Sequence, residues 1–289
     1  MAASIGETAS PHYKIGIEWL KHLTIIILLA LSLLTIIVAI FVAGKDVFQY
    51  QNNQYNLAFP YHWENYQDAF KYLFPFVWNS VLAVATTTLL SLLLGSWCGF
   101  VFARMRFKFR SPLYYLIIAL LMIPSPLSFV PQYLWIKQLG MINTPLAVII
   151  PWTAFWQVLG VLWMRTTLED QEEAMFEAAR IDGASVWKQF WYISLPLARP
   201  VLFTLGVWII SGSWNDYVWP SIAITEPSKI MLSVALRGYM NQATTAAGMS
   251  GNLGPSYAGA LIASLPLFVV VLFVGKQFVE GLVSGSVKL

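Results

Sequence analysis

The sequence predicts an all-α polytopic membrane protein with six transmembrane helices, and two observations carry that prediction. The 289 residues are 58% hydrophobic and 11% charged, whereas a soluble domain carries about 25% charged residues. A helix needs roughly 20 apolar residues to cross the hydrocarbon core of a bilayer. Six nearly uncharged runs meet that requirement: 23–43, 76–103, 113–136, 145–164, 201–221 and 258–275.

The distribution of lysine and arginine predicts the orientation of these helices, because cytoplasmic loops carry an excess of both residues. With the N-terminus placed inside, twelve of the 17 lysines and arginines fall in inner segments and five in outer segments. We therefore expect a cytoplasmic N-terminal segment over residues 1–22 and a membrane domain over 23–275. Within that domain, 165–200 is expected to be a cytoplasmic loop, and 276–289 a cytoplasmic tail.

The loop 165–200 is polar and helix-forming, although it lies between two apolar runs. Four acidic residues are expected in the first turn of a helix, where the helix dipole favours negative charge: Glu169, Asp170, Glu172 and Glu173. An apolar face is then expected at helical spacing from Ala174, Ala178 and Ile181. Gly183 is suited to the left-handed conformation that ends such a helix. Periodicity alone is equally compatible with an ordinary connector lying on the membrane surface.

A second short helix is expected after Gly183, with Ser185 as its N-cap. Its apolar positions repeat the same spacing at Val186, Phe190 and Ile193, and Pro196 closes the unit. Trp187 and Trp191 add an unusual amount of aromatic surface for a cytoplasmic connector.

From Glu177 to Pro200 the chain reads EAARIDGASVWKQFWYISLPLARP. This segment resembles the EAA loop of ABC-importer permeases at eleven ordered positions: Glu177, Ala178, Ala179, Asp182, Gly183, Ala184, Phe190, Ile193, Leu195, Pro196 and Pro200. The resemblance implies that a coupling helix, roughly Ala184 to Trp191, docks into a groove of a separate ATPase subunit. It implies ATPase-coupling roles for Glu177, Ala178, Ala179, Asp182, Gly183, Ala184, Val186, Trp187 and Phe190.

The resemblance extends from about Asn65 to the C-terminus and includes the sequence WNDYVWP at 214–220. These residues are similar to the oligosaccharide-importing branch of the family, specifically to the smaller permease of the maltose-importer type of heterodimer. That branch implies a type I ABC-importer permease fold and carbohydrate transport across the bacterial inner (cell) membrane. It implies four kinds of partner: a second homologous permease, two ATPase subunits, an extracytoplasmic solute-binding protein and the lipid bilayer. The segment 241–256 is implied to reach the sugar site of the binding protein.

Motifs that the sequence lacks indicate which functions belong to other subunits of such a complex. The chain has no G-x-x-x-x-G-K-[ST] phosphate loop, so we expect it not to be an enzyme, and we expect ATP and Mg²⁺ to bind on partner subunits. With three histidines and one cysteine, no metal site or cofactor is expected in this chain. Nucleic acid is not expected as a partner, because the basic residues lie at membrane ends.

A substrate path is expected from polar and aromatic residues near the outer ends of the helices. Polar residues at membrane depth tend to face the bundle interior or a water-filled path, and sugar rings have apolar faces that stack on aromatic rings. The candidates are Asn79, Trp152, Trp156, Asn215, Asp216, Tyr217 and Trp219. Prolines 124, 126 and 131 indicate either a structural kink or a pore-lining bend.

A stripe of small residues, formed by Ser91, Gly95, Gly99 and Ala103, predicts a seam of close helix packing. The sequence does not say whether that seam lies within the chain or against a partner permease.

Two alternatives remain open at this point. The cargo is either a neutral glucan-like oligosaccharide or an acidic polysaccharide such as alginate. In a different class, the chain is an ATP-independent secondary transporter, which predicts ionisable groups within the membrane that the sequence does not display.

Overall fold

The computed structural model describes residues 11–246 and 253–286, and the regular structure within these ranges is helical, which confirms the predicted all-α class. Short 3₁₀ and π turns occupy Leu120–Met122 and Phe190–Ser194. The α-helices are α1 Pro11–Ala43, α2 Val47–Asn52, α3 Glu64–Arg104, α4 Arg110–Ala119, α5 Ser125–Gln138, α6 Leu146–Glu169, α7 Glu173–Ile181, α8 Val186–Gln189, α9 Leu195–Leu197, α10 Arg199–Asn215, α11 Val218–Ala223, α12 Leu232–Ala246 and α13 Gly254–Ser286.

Among the described residues, four helices are long and apolar enough to cross a membrane, and up to six spans result if two bent helix pairs each count as one. The first bent pair joins Arg110–Met122 to Ser125–Gln138 at an angle of 105°. The second joins Val186–Leu197 to Arg199–Asn215 at 77°. The first bend therefore interrupts the predicted run 113–136. The second bend precedes the predicted run 201–221, which is instead interrupted at Asp216 and Tyr217, between α10 and α11.

The break between α4 and α5 has a cause in the sequence. Pro124 adopts an extended conformation immediately before α5, and Pro126 lies in the first turn of that helix. A proline cannot donate the backbone hydrogen bond that would continue a helix, and it disfavours helical geometry in the residue before it. Pro131 is tolerated inside α5.

The chain divides into two compact units. Of the described residues, one unit comprises 11–69, 242–246 and 253–261, and the other comprises 70–241 and 262–286. In the first unit, α1 carries the most hydropathic window among the described candidate spans, and 6% of that window is buried. Asp46 and Gln49 form a reciprocal capping box at the start of α2. Of the predicted loop 241–256, residues 241–246 complete α12 and 254–256 begin α13, whereas 247–252 lie outside the described residues.

The second unit contains both of the regions in which functional residues were predicted. One core cluster is built around Trp152, Trp156 and Trp219, with Leu205 and Ile209 packed against them. A second cluster joins the end of α3 and the end of α6 to the connector that follows. Its buried members are Phe100, Met164, Leu168, Phe176, Phe190 and Ala198.

The predicted seam of small residues lies within the chain, between α3 and α6. A Cβ atom added at Gly95 would lie 3.1 Å from the Cα atom of Gly160, and one added at Gly99 would lie 2.5 Å from the Cβ atom of Met164. The two backbones are therefore in direct contact, because small residues allow close approach of helices in lipid.

We expect Gly160→Leu to destabilise the chain, because its side chain must push α3 away from α6. Overpacking of this kind costs about 1–3 kcal/mol. The measurement is the thermal unfolding midpoint of the purified chain in detergent. Gly275→Leu is the matched control, since a Cβ atom there meets no heavy atom within 4 Å. Equal unfolding midpoints for the two variants would show that the seam is not tightly packed.

Candidate functional site

The connector between α6 and α10 contains α7, α8 and α9. It begins later in the chain than we expected from the acidic residues at 169–173. Helix α6 continues to Glu169, so the expectation that Glu169 and Asp170 open the next helix is wrong. Two arginines explain the difference. Arg165 Nε and Arg110 Nη2 donate to Glu169 Oε1 at 2.9 and 2.8 Å, and these cations stabilise the carboxylate at the end of α6.

Arg104, the last residue of α3, fixes the start of α7. Its guanidinium donates to Glu173 Oε2 at 2.6 Å and to the carbonyl oxygens of Leu168 and Gln171. It also lies 4.0 Å from the centre of the Phe176 ring. The Arg104 side chain is 10% exposed and that of Glu173 is 54% exposed, so the guanidinium is largely buried while its carboxylate partner remains accessible to water.

Glu173 is held by arginines from two sides. Hydrogen bonds from Arg180 and then Arg104 hold the pKa of Glu173 below its ordinary value, because both cations stabilise the ionised carboxylate. Removing either arginine therefore weakens the contact that fixes α7.

Helix α7 ends in the conformation that the glycine predicted. Gly183 has φ of +75°, its N–H donates to Arg180 O at 3.1 Å, and the N–H of Ala184 donates to Ala179 O at 2.8 Å. These two bonds form a Schellman motif, which satisfies the last carbonyl groups of a helix. A Cβ atom at Gly183 would meet nothing within 4 Å. The requirement for glycine is therefore conformational and not a matter of space.

Helix α8 is attached to α3 by stacked aromatic rings. Ser185 accepts from Lys188 N at 3.4 Å, as expected of an N-cap. The Trp187 ring lies parallel to the Trp97 ring with centroids 4.1 Å apart, and Phe190 meets Trp97 edge-on at 5.0 Å. Aromatic pairs in such arrangements contribute about 0.5–1.5 kcal/mol beyond burial of area.

The apolar face predicted on α7 is exposed in the single chain. Ala174, Ala178 and Ile181 are all exposed, and Ile181 is 86% accessible. Among the nine predicted coupling residues, Phe190 is buried in the chain's own core and Ala179 and Ala184 are half-buried. The other six are exposed: Glu177, Ala178, Asp182, Gly183, Val186 and Trp187.

A cavity of about 480 Å³ lies between α5, α6, α10 and α11. Four of the seven predicted substrate-path residues line it: Trp152, Trp156, Asp216 and Trp219. Phe129 and Phe155 extend its aromatic wall, and Ser125, Ser128 and Gln132 add polar groups. Its size falls within the range of protein ligand pockets, roughly 300–1,000 Å³.

Two indole hydrogen bonds join α6 to the end of α10 beside this cavity. Trp152 Nε1 donates to Asp216 Oδ2 at 2.8 Å, and Trp156 Nε1 donates to Ser213 Oγ at 2.9 Å. The Trp156 ring occupies the space next to Gly212, where an added Cβ atom would lie 2.4 Å from it. Glycine is therefore required at 212 for α6 and α10 to meet.

Asp216 also caps the break between α10 and α11. Its Oδ1 atom accepts from the backbone N–H groups of Val218 at 3.0 Å and Trp219 at 3.4 Å. The Trp219 indole in turn donates to Ala147 O at 2.9 Å. One carboxylate therefore receives three N–H donors while facing the cavity.

The three other predicted path residues do not line the cavity. Asn79 donates to the carbonyl oxygens of Ser228 and Ile230 at 3.0 and 3.1 Å. Asn215 donates to Ser211 O at 2.8 Å. Tyr217 is 44% exposed, and the Arg237 guanidinium lies 5.8 Å from its ring centre.

The polar wall contributed by α5 was missed at the sequence level. Ser125, Ser128 and Gln132 recur at intervals of three and four residues, which places them on one face of a helix. That periodicity, directly after the break at Pro124, was the pattern that could have identified them.

The sequence is similar to several permease proteins of bacterial transport systems. "Melibiose/raffinose/stachyose import permease protein MelC" of Bacillus subtilis is 32% identical over 214 residues, covering 73% of this chain and 74% of that protein. "Lactose transport system permease protein LacG" of Rhizobium radiobacter is 29% identical over 211 residues, again 73% and 74%. "Probable ABC transporter permease protein YurM" of Bacillus subtilis is 27% identical and covers 98% of this chain and 89% of its own.

The fold has a counterpart among solved structures. A chain of a bacterial ABC transporter involved in the import of the acidic polysaccharide alginate aligns with a TM-score of 0.76 at 20% identity, covering 93% of this chain and 99% of its own. At that identity the likeness establishes the fold alone. The family model described as "Binding-protein-dependent transport system inner membrane component" matches residues 91–280, well over half of the sequence. The chain therefore belongs to the family of inner-membrane components of binding-protein-dependent transport systems.

Proposed function

We propose that this chain is the transmembrane permease subunit of an ATP-driven ABC importer of oligosaccharides and forms half of its translocation path. Family membership makes it a transport component. Relatives named for melibiose, raffinose, stachyose and lactose support a saccharide cargo. The observation that carries the proposal is positional: the segment with the exposed coupling residues joins α6 directly to α10, and both helices line the cavity.

The proposed assembly contains a second, homologous permease, two ATPase subunits and an extracytoplasmic solute-binding protein. ATP and Mg²⁺ bind to the ATPase subunits, and this chain contributes no cofactor site. Its place is the bacterial inner membrane, with both termini in the cytoplasm. The excess of lysine and arginine in the inner segments supports this orientation.

Force is proposed to enter through α7 and α8. The exposed face of α7 and the exposed side of Trp187 meet the ATPase, while Arg104 and Trp97 tie the same two helices to the end of α3. Closure of the ATPases then moves α3 together with the adjoining ends of α6 and α10. The hydrogen bonds of Trp152 and Trp156 carry this displacement to the cavity.

The cavity is proposed to be part of the sugar path. Its aromatic wall supplies surfaces for the apolar faces of sugar rings, and its serine, glutamine and aspartate side chains supply hydrogen-bonding groups. Asn79, Asn215 and Tyr217 are proposed to line the path outside the cavity.

The function is tested by the ATPase activity of the purified complex in lipid, with and without its binding protein, across a panel of neutral and acidic oligosaccharides. We expect ATP hydrolysis to rise only when the binding protein carries its saccharide. Transport that persists after removal of the ATPase subunits would overturn the proposal and favour a secondary transporter.

We expect Gly183→Val to lower the stimulated ATPase rate, because a β-branched residue is strained at φ of +75°. The left-handed conformation costs an L-residue about 1–2 kcal/mol. Gly183→Asn is the matched control, since asparagine tolerates this conformation. Stimulated ATPase rates of the two variants provide the comparison. Equal losses would show that side-chain size at this position, and not backbone geometry, limits coupling.

We expect Ile181→Asp to weaken binding of the ATPase subunit at least about tenfold, because it places a charge in an apolar contact. The unfolding midpoint of the chain should stay unchanged, since Ile181 is 86% exposed. Binding is measured by titrating ATPase onto the permease in nanodiscs. Glu172→Ala serves as the control, because Glu172 precedes α7 and its side chain makes no capping hydrogen bond. Wild-type affinity in Ile181→Asp would remove this face from the docking surface.

A further inference from the structure

We propose that the cavity between α5, α6, α10 and α11 takes uncharged sugar units and rejects uronates, with Asp216 as the charge that discriminates. This inference rests on the proposed function and narrows its cargo to neutral oligosaccharides. Asp216 is the one ionisable side chain among the described residues that line the cavity; its other lining residues are aromatic, aliphatic, serine or glutamine. The cavity therefore has a net negative charge.

The charge at Asp216 is held in place by the fold. Two backbone N–H groups and the Trp152 indole N–H point at its oxygens. These three hydrogen bonds engage both oxygens of the carboxylate and fix its orientation. Because the carboxylate is bonded to α6 and α11 at once, it cannot swing away from an incoming substrate.

The hydrogen bonds that the Asp216 carboxylate can form differ between neutral and acidic sugars. An ionised carboxylate accepts hydrogen bonds and donates none, and each of its oxygens has two lone pairs. Three of these four positions accept from the N–H groups already named, so a sugar hydroxyl can donate to the one that remains. A uronate carboxylate is itself an acceptor, and no hydrogen bond forms between two such groups.

Electrostatic repulsion acts in the same direction. A volume of about 480 Å³ makes the cavity roughly 10 Å across, so any second charge inside it lies close to Asp216. Within the described lining no lysine, arginine or histidine offsets the repulsion. Low-dielectric walls of aromatic rings strengthen it.

The cavity charge can be measured without knowing the cargo, because the chain has a single cysteine, Cys98. Ser128→Cys in a Cys98→Ser background places one thiol in the cavity wall. The full complex in nanodiscs is treated with cationic, anionic or uncharged methanethiosulfonates, and modification of this chain is followed by mass spectrometry. The ratio of cationic to anionic rates, divided by the same ratio for free cysteine, reports the local potential.

We expect the normalised ratio of cationic to anionic modification rates to be about ten in the wild-type cavity. Asp216→Asn should bring it near one, because asparagine keeps an acceptor for the α11 N–H groups while removing the charge. Gln132→Lys, which adds a cation to the same wall, should also lower it and does not disturb the cap. Glu226→Gln is the matched control, since Glu226 pairs with Lys229 and lies outside the cavity.

Three labelling outcomes would overturn the inference. The first is a ratio near one in the wild-type cavity. The second is a ratio that neither Asp216→Asn nor Gln132→Lys changes. The third is modification by the uncharged reagent alone, which would mean that the cavity opens to lipid.

Selectivity itself is measured by stimulated ATPase activity with oligogalacturonate and with its uncharged methyl ester, using the same binding protein throughout. Asp216→Asn and Gln132→Lys should each raise the activity ratio of acid to ester about tenfold over wild type, because the contribution of the binding protein cancels between variants. An unchanged ratio counts against the inference. Absence of stimulation by every saccharide counts against the proposed function, and the labelling ratio then still reports the cavity charge.

Discussion

The contact between α6 and α10 beside the cavity is the constraint on which the rest of this structure depends. Two tryptophans on successive turns of α6 donate to Asp216 and Ser213 near the end of α10. The second tryptophan fits only because residue 212 has no side chain. In lipid, burial of apolar surface does not drive helices together, so close packing and interhelical hydrogen bonds must do so. The same contact builds the aromatic wall of the cavity, which means that the helix packing and the shape of the cavity cannot change independently.

The other ends of α6 and α10 are joined through the connector that contains α7 and α8, and α3 holds that connector at two places. Arg104 binds the start of α7 through hydrogen bonds to Glu173 and to the Gln171 carbonyl, and Trp97 stacks on Trp187 of α8. A displacement of the connector therefore acts on α3, α6 and α10 together. Helix α3 also contacts α6 backbone to backbone at Gly95 and Gly160. Well-packed interfaces are not continuously deformable, so we infer that these three helices move as one body.

Local sequence was sufficient to predict where a helix begins or ends if a single residue type determines the backbone geometry there. Gly183 was expected to end a helix and does so, and Ser185 was expected to cap the next one and does so. The limit of α6 was not predictable from its own residues alone, because Glu169 is held there by Arg110 of α4 in addition to Arg165 of α6. The residues that line the cavity show the same difference between what local sequence predicts and what tertiary packing decides. Aromatic and polar residues near helix ends were identified by type, yet only tertiary packing separates Trp156, which meets Gly212, from Asn79, which binds the segment before α12.

Both helix breaks that border the cavity must satisfy exposed backbone groups, because irregular backbone at membrane depth is tolerated only where protein or a water-filled cavity supplies partners. At the first break, proline removes the N–H group that would need one. At the second, the free N–H groups of α11 are taken up by the Asp216 carboxylate. The negative charge in the cavity is thus also the cap that makes an interrupted helix possible. If the cavity selects neutral sugars as proposed, a change to acidic sugars cannot proceed by deleting this residue. It requires either an amide that preserves the acceptor or a cation added elsewhere on the wall, and α5 supplies the position for the latter at Gln132.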